Sequence, residues 1–182
     1  MSGQHNTAII WRPQAGPQKA LIDCPIPEIF YGGARGGGKT DGVLGKYAIK
    51  SSLYGARFNA VFFRQETPML DDAIERSKDI FEPLGARWQE QKRTWRLPDG
   101  GRLRFRPLES LNDADKYQER NSTDRCGEEA GIYPDPRPID RLNGVLRSAA
   151  GIPTQLIMTG NPGGAGQGWI KERYIDPAPD GM

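Results

Sequence analysis

The sequence has few of the residues that histidine-dependent or disulfide-bonded proteins need. Its 182 residues include one histidine, His5, and two cysteines, Cys24 and Cys126, which lie far apart in the chain. A Ser-His-Asp triad and a histidine-based metal site are therefore not expected, and a disulfide framework or zinc site would require more ligands in closer groups. No apolar run approaches the roughly 20 residues that cross a bilayer, and the N-terminus does not resemble a signal peptide. The sequence thus predicts neither a membrane protein nor a secreted one.

The charge of the chain is nearly balanced. There are 25 Lys and Arg residues against 23 Asp and Glu, a net charge of +2, which is not the large basic excess of a dedicated nucleic-acid binder. Strand patterns alternate with helix patterns around a glycine-rich segment, so we expect an α/β fold with a mostly parallel sheet. The predicted strands are 28–31, 59–63 and 155–159, the predicted helices are 39–53, 70–81 and 139–149, and a β-hairpin is predicted around 88–106.

The clearest motif is a phosphate-binding loop. Gly33 and the run Gly38-Lys39-Thr40 have the P-loop spacing, with a strand pattern before them and a helix pattern after them. Glycines allow backbone N–H groups to surround a phosphate, and the N-terminus of the following helix faces the same anion. Lys39 would reach the β- and γ-phosphate oxygens, and the Thr40 hydroxyl would bind Mg²⁺. The predicted nucleotide contacts of this loop are Gly33, Ala34, Arg35, Gly36, Gly37, Gly38, Lys39 and Thr40.

An adjacent acidic pair, Glu128-Glu129, has two interpretations. A P-loop NTPase needs one carboxylate for Mg²⁺, and many ATPases place a second beside it to activate water. Arg125 and Gly127 nevertheless interrupt the apolar pattern expected of a buried strand before the pair. The pair is therefore either the metal- and water-binding carboxylates or a solvated acidic turn, and Asp124 is the next candidate.

Two other positions also keep two interpretations. Arg35 lies inside the loop, where it is either an arginine finger acting on its own subunit or a solvated side chain. Asn161 follows the strand 155–159, where it either senses the γ-phosphate or forms an ordinary Asn-Pro turn. Position alone does not decide between them.

Together these segments resemble the N-terminal ATPase domain of the large terminase subunit of tailed phages, over about residues 11–175. The resemblance rests on motifs in a fixed order: 30–40, 62–64 with the helix after it, 97–105, 128–131 and 159–162. It implies a RecA/ASCE-like P-loop NTPase fold, as a single ATPase domain over 1–182. Residues 1–27 would lie on the adenine side, and 28–176 would form the P-loop core.

The resemblance also implies roles for individual residues. ATP hydrolysis would drive double-stranded DNA into a procapsid, with Arg35, Lys39 and Glu129 as the catalytic residues and Glu129 orienting the attacking water. Thr40 and Glu128 would hold Mg²⁺. Residues 159–161, including Asn161, would couple hydrolysis to movement, and Gln14 or Gln18 would contact adenine.

The implied partners are double-stranded DNA, held weakly by an isolated domain, the portal and procapsid, the terminase small subunit, and further copies of the chain in a ring, all in the host cytoplasm. Arg102, Arg104 and Arg106 of the hairpin offer phosphate contacts, or else form a solvated strand face. Two features depart from the family. Glu128 stands where an Asp is usual, and Arg125 and Gly127 interrupt the strand before it, which would weaken Mg²⁺ binding and hydrolysis. The chain also ends at Met182 without a nuclease domain, so no DNA cleavage is expected. The alternatives are a catalytically impaired nucleotide-binding module and an unrelated P-loop ATPase or kinase.

Overall fold

The structure, a computed structural model, describes residues 9–118, 121–143 and 151–177. Within these residues a seven-stranded sheet has the order β1–β7–β6–β2–β5–β4–β3. The strands are β1 Glu28–Gly32, β2 Asn59–Arg64, β3 Arg87–Gln89, β4 Thr94–Arg96, β5 Arg102–Pro107, β6 Asp124–Gly127 and β7 Gln155–Gly160. The helices are α1 Pro17–Asp23, α2 Lys39–Tyr54, α3 Leu70–Phe81, α4 Leu111–Gln118, α5 Arg137–Asn143 and α6 Gln167–Ile170, which continues into a π-helical turn, Lys171–Ile175.

Helices cover both faces of the sheet. Side chains alternate along a strand, so Ala60 and Phe62 of β2 face a core formed with α2 and α3, while Val61 and Phe63 face a second core formed with α4, α5 and α6. Strand β2 is therefore apolar on both faces, as is usual for a central parallel strand. No helix in the described parts of the chain is long and apolar enough to cross a membrane.

The direction of the strands determines where a site can form. Strands β1, β7, β6, β2 and β5 are parallel, and β4 and β3 continue the sheet in antiparallel pairing. The loops after β1, β7, β6 and β2 consequently leave the same edge of the sheet, where parallel α/β sheets bind their ligands. Because β7 lies between β1 and β6, residue 161 leaves the sheet between the glycine-rich loop and the acidic pair.

Most predicted elements are present, and the expected α/β class with a mostly parallel sheet is confirmed. The hairpin is confirmed as β4 and β5, but β5 also pairs with β2, so the hairpin belongs to the main sheet. Strand β1 is half-buried, since it lies at the edge of the sheet as described. The helix expected over 139–149 is observed as α5; residues 144–149 lie outside the described residues, as do residues 1–8 of the expected adenine-side segment.

The expectation that Arg125 and Gly127 interrupt the strand before the acidic pair was wrong, because β6 forms there and all four of its residues are buried. Arg125 is 1% exposed, and its guanidinium donates to the Ser122 hydroxyl at 2.6 Å and to the Leu142 carbonyl oxygen. This burial lowers the pKa of Arg125 to about 10. Gly127 leaves room for Met158, since a Cβ at Gly127 would lie 2.5 Å from the methionine methyl carbon. Both residues therefore fit a buried strand through contacts with distant parts of the chain.

Candidate active site

The glycine-rich loop over 33–38 connects β1 to the first residue of α2. Gly38 has a φ of 65°, and a Cβ there would lie 2.6 Å from Nε2 of Gln18, so a larger residue would be strained at this position and would displace the Gln18 side chain. Gln18 is 2% exposed and lies against this end of the loop: its Nε2 donates to the Gly38 carbonyl at 2.9 Å, and its Oε1 accepts from the Gln14 amide at 2.8 Å. Gln18 therefore holds the loop, and its contact with adenine stays a prediction.

Lys39 joins the loop to the end of β7. Its Nζ donates to the carbonyl oxygens of Gly33 at 3.1 Å and Ala34 at 2.8 Å, and to Oδ1 of Asn161 at 2.8 Å. Burial lowers the pKa of Lys39, while the nearby carboxylates of Glu128 and Glu129 act in the opposite direction. The structure thus brings Lys39 into contact with Asn161, which lies 122 positions away in the sequence.

Glu128 joins the loop to β6 and β2. One carboxylate oxygen accepts a hydrogen bond from the Thr40 hydroxyl, and the other forms an ion pair with Nε of Arg64. Only 3% of Glu128 is exposed, and this burial raises its pKa, although Arg64 and Thr40 favour the ionised form. The predicted pairing of Thr40 and Glu128 at one place is therefore present in the geometry.

Sequence reasoning assigned no role to Arg64, nor to Asp41 and Arg76, which form an ion pair with each other and line the same cleft. Arg64 ends β2, and its guanidinium also donates to the carbonyl oxygen of Met69 at the start of α3. Its position was the available signal, because a charged residue at the carboxyl end of a central parallel strand lies at the ligand-binding edge of the sheet.

Glu129 has an unusual backbone conformation. Its φ is 57°, and among the described residues Arg93 is the only other non-glycine residue with positive φ. Such conformations cost free energy and concentrate at functional sites. The side chain of Glu129 is half-buried and lines the same cleft as Glu128, so the left-handed turn places both carboxylates at one cleft.

These groups line one open cleft with a volume of about 580 Å³. Arg35 is exposed at its rim and forms no hydrogen bond or ion pair with other described residues. The Thr159 hydroxyl is buried and has no hydrogen-bond partner within the described segments. The functional side chains that line the cleft are Arg35, Lys39, Thr40, Arg64, Glu128, Glu129, Thr159 and Asn161.

Asp124, the other candidate for the metal-binding carboxylate, lies outside this cleft. It begins β6, at the opposite edge of the sheet, where it forms a buried ion pair with Lys50. Its location leaves Glu128 and Glu129 as the acidic pair that faces the phosphate loop.

Comparison with known families and with curated proteins finds no match to this chain. Several solved structures are similar to this chain in fold. A large terminase from a thermophilic bacteriophage superposes with a TM-score of 0.69 and 15% identity, covering 91% of this chain and 43% of that one. The large terminase ATPase domain of Thermus phage P74-26 superposes with a TM-score of 0.64 and 12% identity, covering 82% of this chain and 65% of that one. The N-terminal domain of the DNA packaging ATPase from bacteriophage phi29 superposes with a TM-score of 0.57 and 19% identity, covering 80% of this chain and 77% of that one.

The chain has the fold of terminase ATPase domains. This confirms the resemblance at the level of the fold, which is what similarity at these identities establishes. The chain spans less than half the length of the large terminase from the thermophilic bacteriophage. In this terminase ATPase fold, the glycine-rich loop, the acidic pair and Asn161 lie together at the carboxyl edge of the parallel strands.

Proposed function

We propose that the chain binds and hydrolyses ATP as the motor domain of a phage DNA-packaging terminase. The observation that carries the proposal is the hydrogen bond between Thr40, at the end of the phosphate loop, and Glu128, at the end of β6. It joins the two groups that would share one Mg²⁺ ion. These groups follow β1 and β6, and β7 lies between those two strands in the sheet. The fold of terminase ATPase domains supports the same assignment.

The residues present fit a nucleotide with Mg²⁺. A hydroxyl and a carboxylate are the hard oxygen donors that Mg²⁺ prefers. The buried Thr159 hydroxyl lacks a partner among the described residues, and an unsatisfied buried polar group costs about 1–3 kcal/mol, so a polar ligand in the cleft would relieve it. When bound, Mg²⁺ would neutralise charge that develops on the phosphates.

Each side chain has a role in this proposal that its contacts allow. Lys39 donates to neutral oxygens, so a phosphate, which is a stronger acceptor, would draw it away from them. Arg35 is exposed and without a described partner, so it can extend over the γ-phosphate from its own subunit. Glu129 would accept a proton from the attacking water, and Asn161 beside Lys39 would sense the γ-phosphate.

Contacts behind the site support a coupling role for residues 159–161. The loop that follows β7 packs closely on the turn that follows Glu129: the Gly166 amide donates to the Gly131 carbonyl oxygen at 2.9 Å. A Cβ at Gly164 would lie 2.5 Å from the same oxygen. Because no side chain fits between these two segments, a displacement of one segment would be transmitted to the other.

The remaining parts of the proposal follow from the terminase resemblance. The motor would act on double-stranded DNA, with portal, procapsid and small subunit as partners and further copies of the chain in a ring, in the host cytoplasm. The alternative of a catalytically impaired module loses one of its motives, an interrupted strand before the acidic pair, because β6 forms.

ATP turnover tests the proposal. Wild type should hydrolyse ATP in a Mg²⁺-dependent manner, and Lys39→Ala should lose ATP binding. Glu129→Gln should keep ATP affinity while its turnover falls by at least about 10²-fold, because an amide does not accept the proton. Glu109→Gln, at an exposed position outside the cleft, is the matched control and should behave as wild type. Absence of both ATP binding and turnover in the wild-type chain would contradict the proposal.

A further inference from the structure

Strands β5, β4 and β3 have one covered face and one open face. Trp88, Trp95 and Phe105 pack into the core formed with α2 and α3. The alternation of side chains sends the neighbouring residues of each strand to the other face. That face forms a concavity of about 570 Å³, bordered on one side by Tyr117 of α4.

Three arginines cross this open face in a line. The pairing register places Arg87 of β3 opposite Arg96 of β4, and Arg96 opposite Arg102 of β5. Residues directly opposite one another in antiparallel strands have Cβ atoms about 4.5–5.5 Å apart, and like charges at such positions destabilise a sheet. We call Arg87, Arg96 and Arg102 the arginine row. Its placement works against folding, so a compensating function is the explanation to test.

No carboxylate neutralises the row within the described parts of the chain. None of its three arginines forms an ion pair with another described residue, and Arg96 donates to the neutral amide oxygen of Gln89 at 3.4 Å. The described residues that line the concavity include Lys92 and Arg93 but neither Asp nor Glu; Arg93 is paired at 3.1 Å with Asp71, which is outside this lining. The concavity is therefore a cationic surface.

The row differs from the stripe of arginines expected from the sequence. Arg104 donates to the side-chain oxygen of Asn59 at 2.9 Å, and Arg106 donates to the carbonyl oxygens of Lys92 at 3.0 Å and Arg93 at 3.3 Å. These two arginines hold neighbouring strands and turns in place. Arg102 is exposed, and the cross-strand register groups it with Arg96 and Arg87.

We propose that the arginine row holds the phosphate backbone of duplex DNA. The inference rests on the proposed function and adds a separate binding surface to it. Guanidinium groups match phosphate oxygens in bidentate geometry. The buried core of a protein–protein interface is more apolar than its rim, and none of the exposed large apolar side chains of the described residues lies in the concavity. A nucleic acid is therefore favoured over an acidic protein.

The position of the row separates DNA from ATP. Arg102 begins β5 and is aligned with Asn59, which begins β2. The row thus lies at the amino edge of the parallel strands and toward the β3 side of the sheet, whereas the cleft lies at the carboxyl edge. Substitutions in the row should consequently leave ATP binding unchanged.

The test is fluorescence anisotropy of a labelled DNA duplex with the 182-residue chain. The variant Arg87→Gln/Arg96→Gln/Arg102→Gln is compared with Lys19→Gln/Arg137→Gln/Lys171→Gln, which removes three charges from exposed positions away from β3, β4 and β5. Each lost phosphate contact lowers the slope of log K against log salt by about 0.9, so the row variant should lose about 2 to 3 in slope between about 50 and 200 mM salt, and at least about tenfold in affinity at the lower salt. The control should lose much less of either.

Several results would overturn the inference: wild type that does not bind the duplex at low salt, equal losses in the two variants, or wild-type binding by the row variant. The unfolding midpoint of the row variant should equal or exceed that of wild type, because mutual repulsion is removed. If the triple variant does not fold, Arg102→Gln alone should still lower the salt slope by about 1, and an unchanged slope overturns the inference. ATP affinity measured on the same samples tells a failure of the proposed function apart from a failure of this surface.

Discussion

Lys50→Met would remove the cation from the buried ion pair at the amino end of β6. The side chain of Asp124 is fully buried, that of Lys50 is 11% exposed, and the Thr123 hydroxyl donates to the second carboxylate oxygen at 2.8 Å. Burial raises the pKa of Asp124, and Lys50 is the largest opposing influence. Loss of Lys50 therefore leaves a desolvated carboxylate held by one hydroxyl.

The expected loss of stability is large for one substitution. Removing one partner of a buried ion pair costs about 3–5 kcal/mol, and we expect the lower value, about 3 kcal/mol, because the Thr123 hydrogen bond remains. At roughly 2–4 °C per kcal/mol for a chain of this length, the unfolding midpoint should fall by about 6–12 °C. A carboxylate whose pKa is raised by folding makes the folded protein less stable as the pH rises through that pKa. The stability that Lys50→Met loses relative to wild type should therefore be largest at pH 8 and become smaller toward pH 5.

Urea unfolding at both pH values measures this, with Lys50→Met/Asp124→Asn as the matched control. The double variant has no orphaned carboxylate and should recover most of the lost stability at pH 8. A deficit that is equal at both pH values, or that persists in the double variant, would show that packing rather than charge is responsible. ATP affinity should be unchanged in Lys50→Met, since this pair lies at the edge of the sheet opposite to the cleft.

Three further outcomes follow from individual side chains. Arg35→Ala should lower ATP turnover by about 10³-fold or more with little loss of ATP affinity; equal losses in a turnover and binding assay would make Arg35 a ground-state phosphate contact. Burial and the nearby charge of Lys50 lower the pKa of Lys46 from 10.5 to about 8, so the free energy of unfolding should rise by about 3 kcal/mol between pH 8 and 10.5 as the folded lysine is neutral and the unfolded one still charged. Lys46→Met should lack that rise, and a retained rise in urea titrations would contradict the assignment. Gln18→Ala should weaken ATP and GTP binding alike, because Gln18 holds the Gly38 carbonyl; a loss confined to ATP would instead show adenine recognition.

Local sequence patterns predicted the parts of the fold that depend on neighbouring residues. Helix α3 occupies the predicted range 70–81, and α2 and the phosphate loop follow from the periodicity and glycine spacing of 33–53. Strand β6 could not be predicted in this way. Arg125 is suited to a buried strand only because Ser122 and Leu142 accept its hydrogen bonds, and that environment is assembled by tertiary contacts.

The site was predictable where a motif supplies the residue, and not where topology does. Lys39 and Thr40 belong to the phosphate loop. For Glu128 the sequence left two interpretations, a metal-binding carboxylate or part of a solvated acidic turn. Arg64 approaches Glu128 because β2 and β6 are neighbours in parallel register, and strand order cannot be read from residue spacing. The same limit applies to Arg102, whose sequence neighbours Arg104 and Arg106 differ from its neighbours in the sheet.

The most direct test of the account is the Mg²⁺ dependence of ATP affinity in Glu128→Gln and Asp124→Asn. The two substitutions make the same carboxylate-to-amide change at the two ends of β6, and both positions are buried. We expect isothermal titration at saturating and zero Mg²⁺ to show that Glu128→Gln loses the increase in affinity that Mg²⁺ gives to wild type, while Asp124→Asn retains it. Retention of the full Mg²⁺ effect by Glu128→Gln, or its loss in a folded Asp124→Asn variant, would contradict the proposed active site.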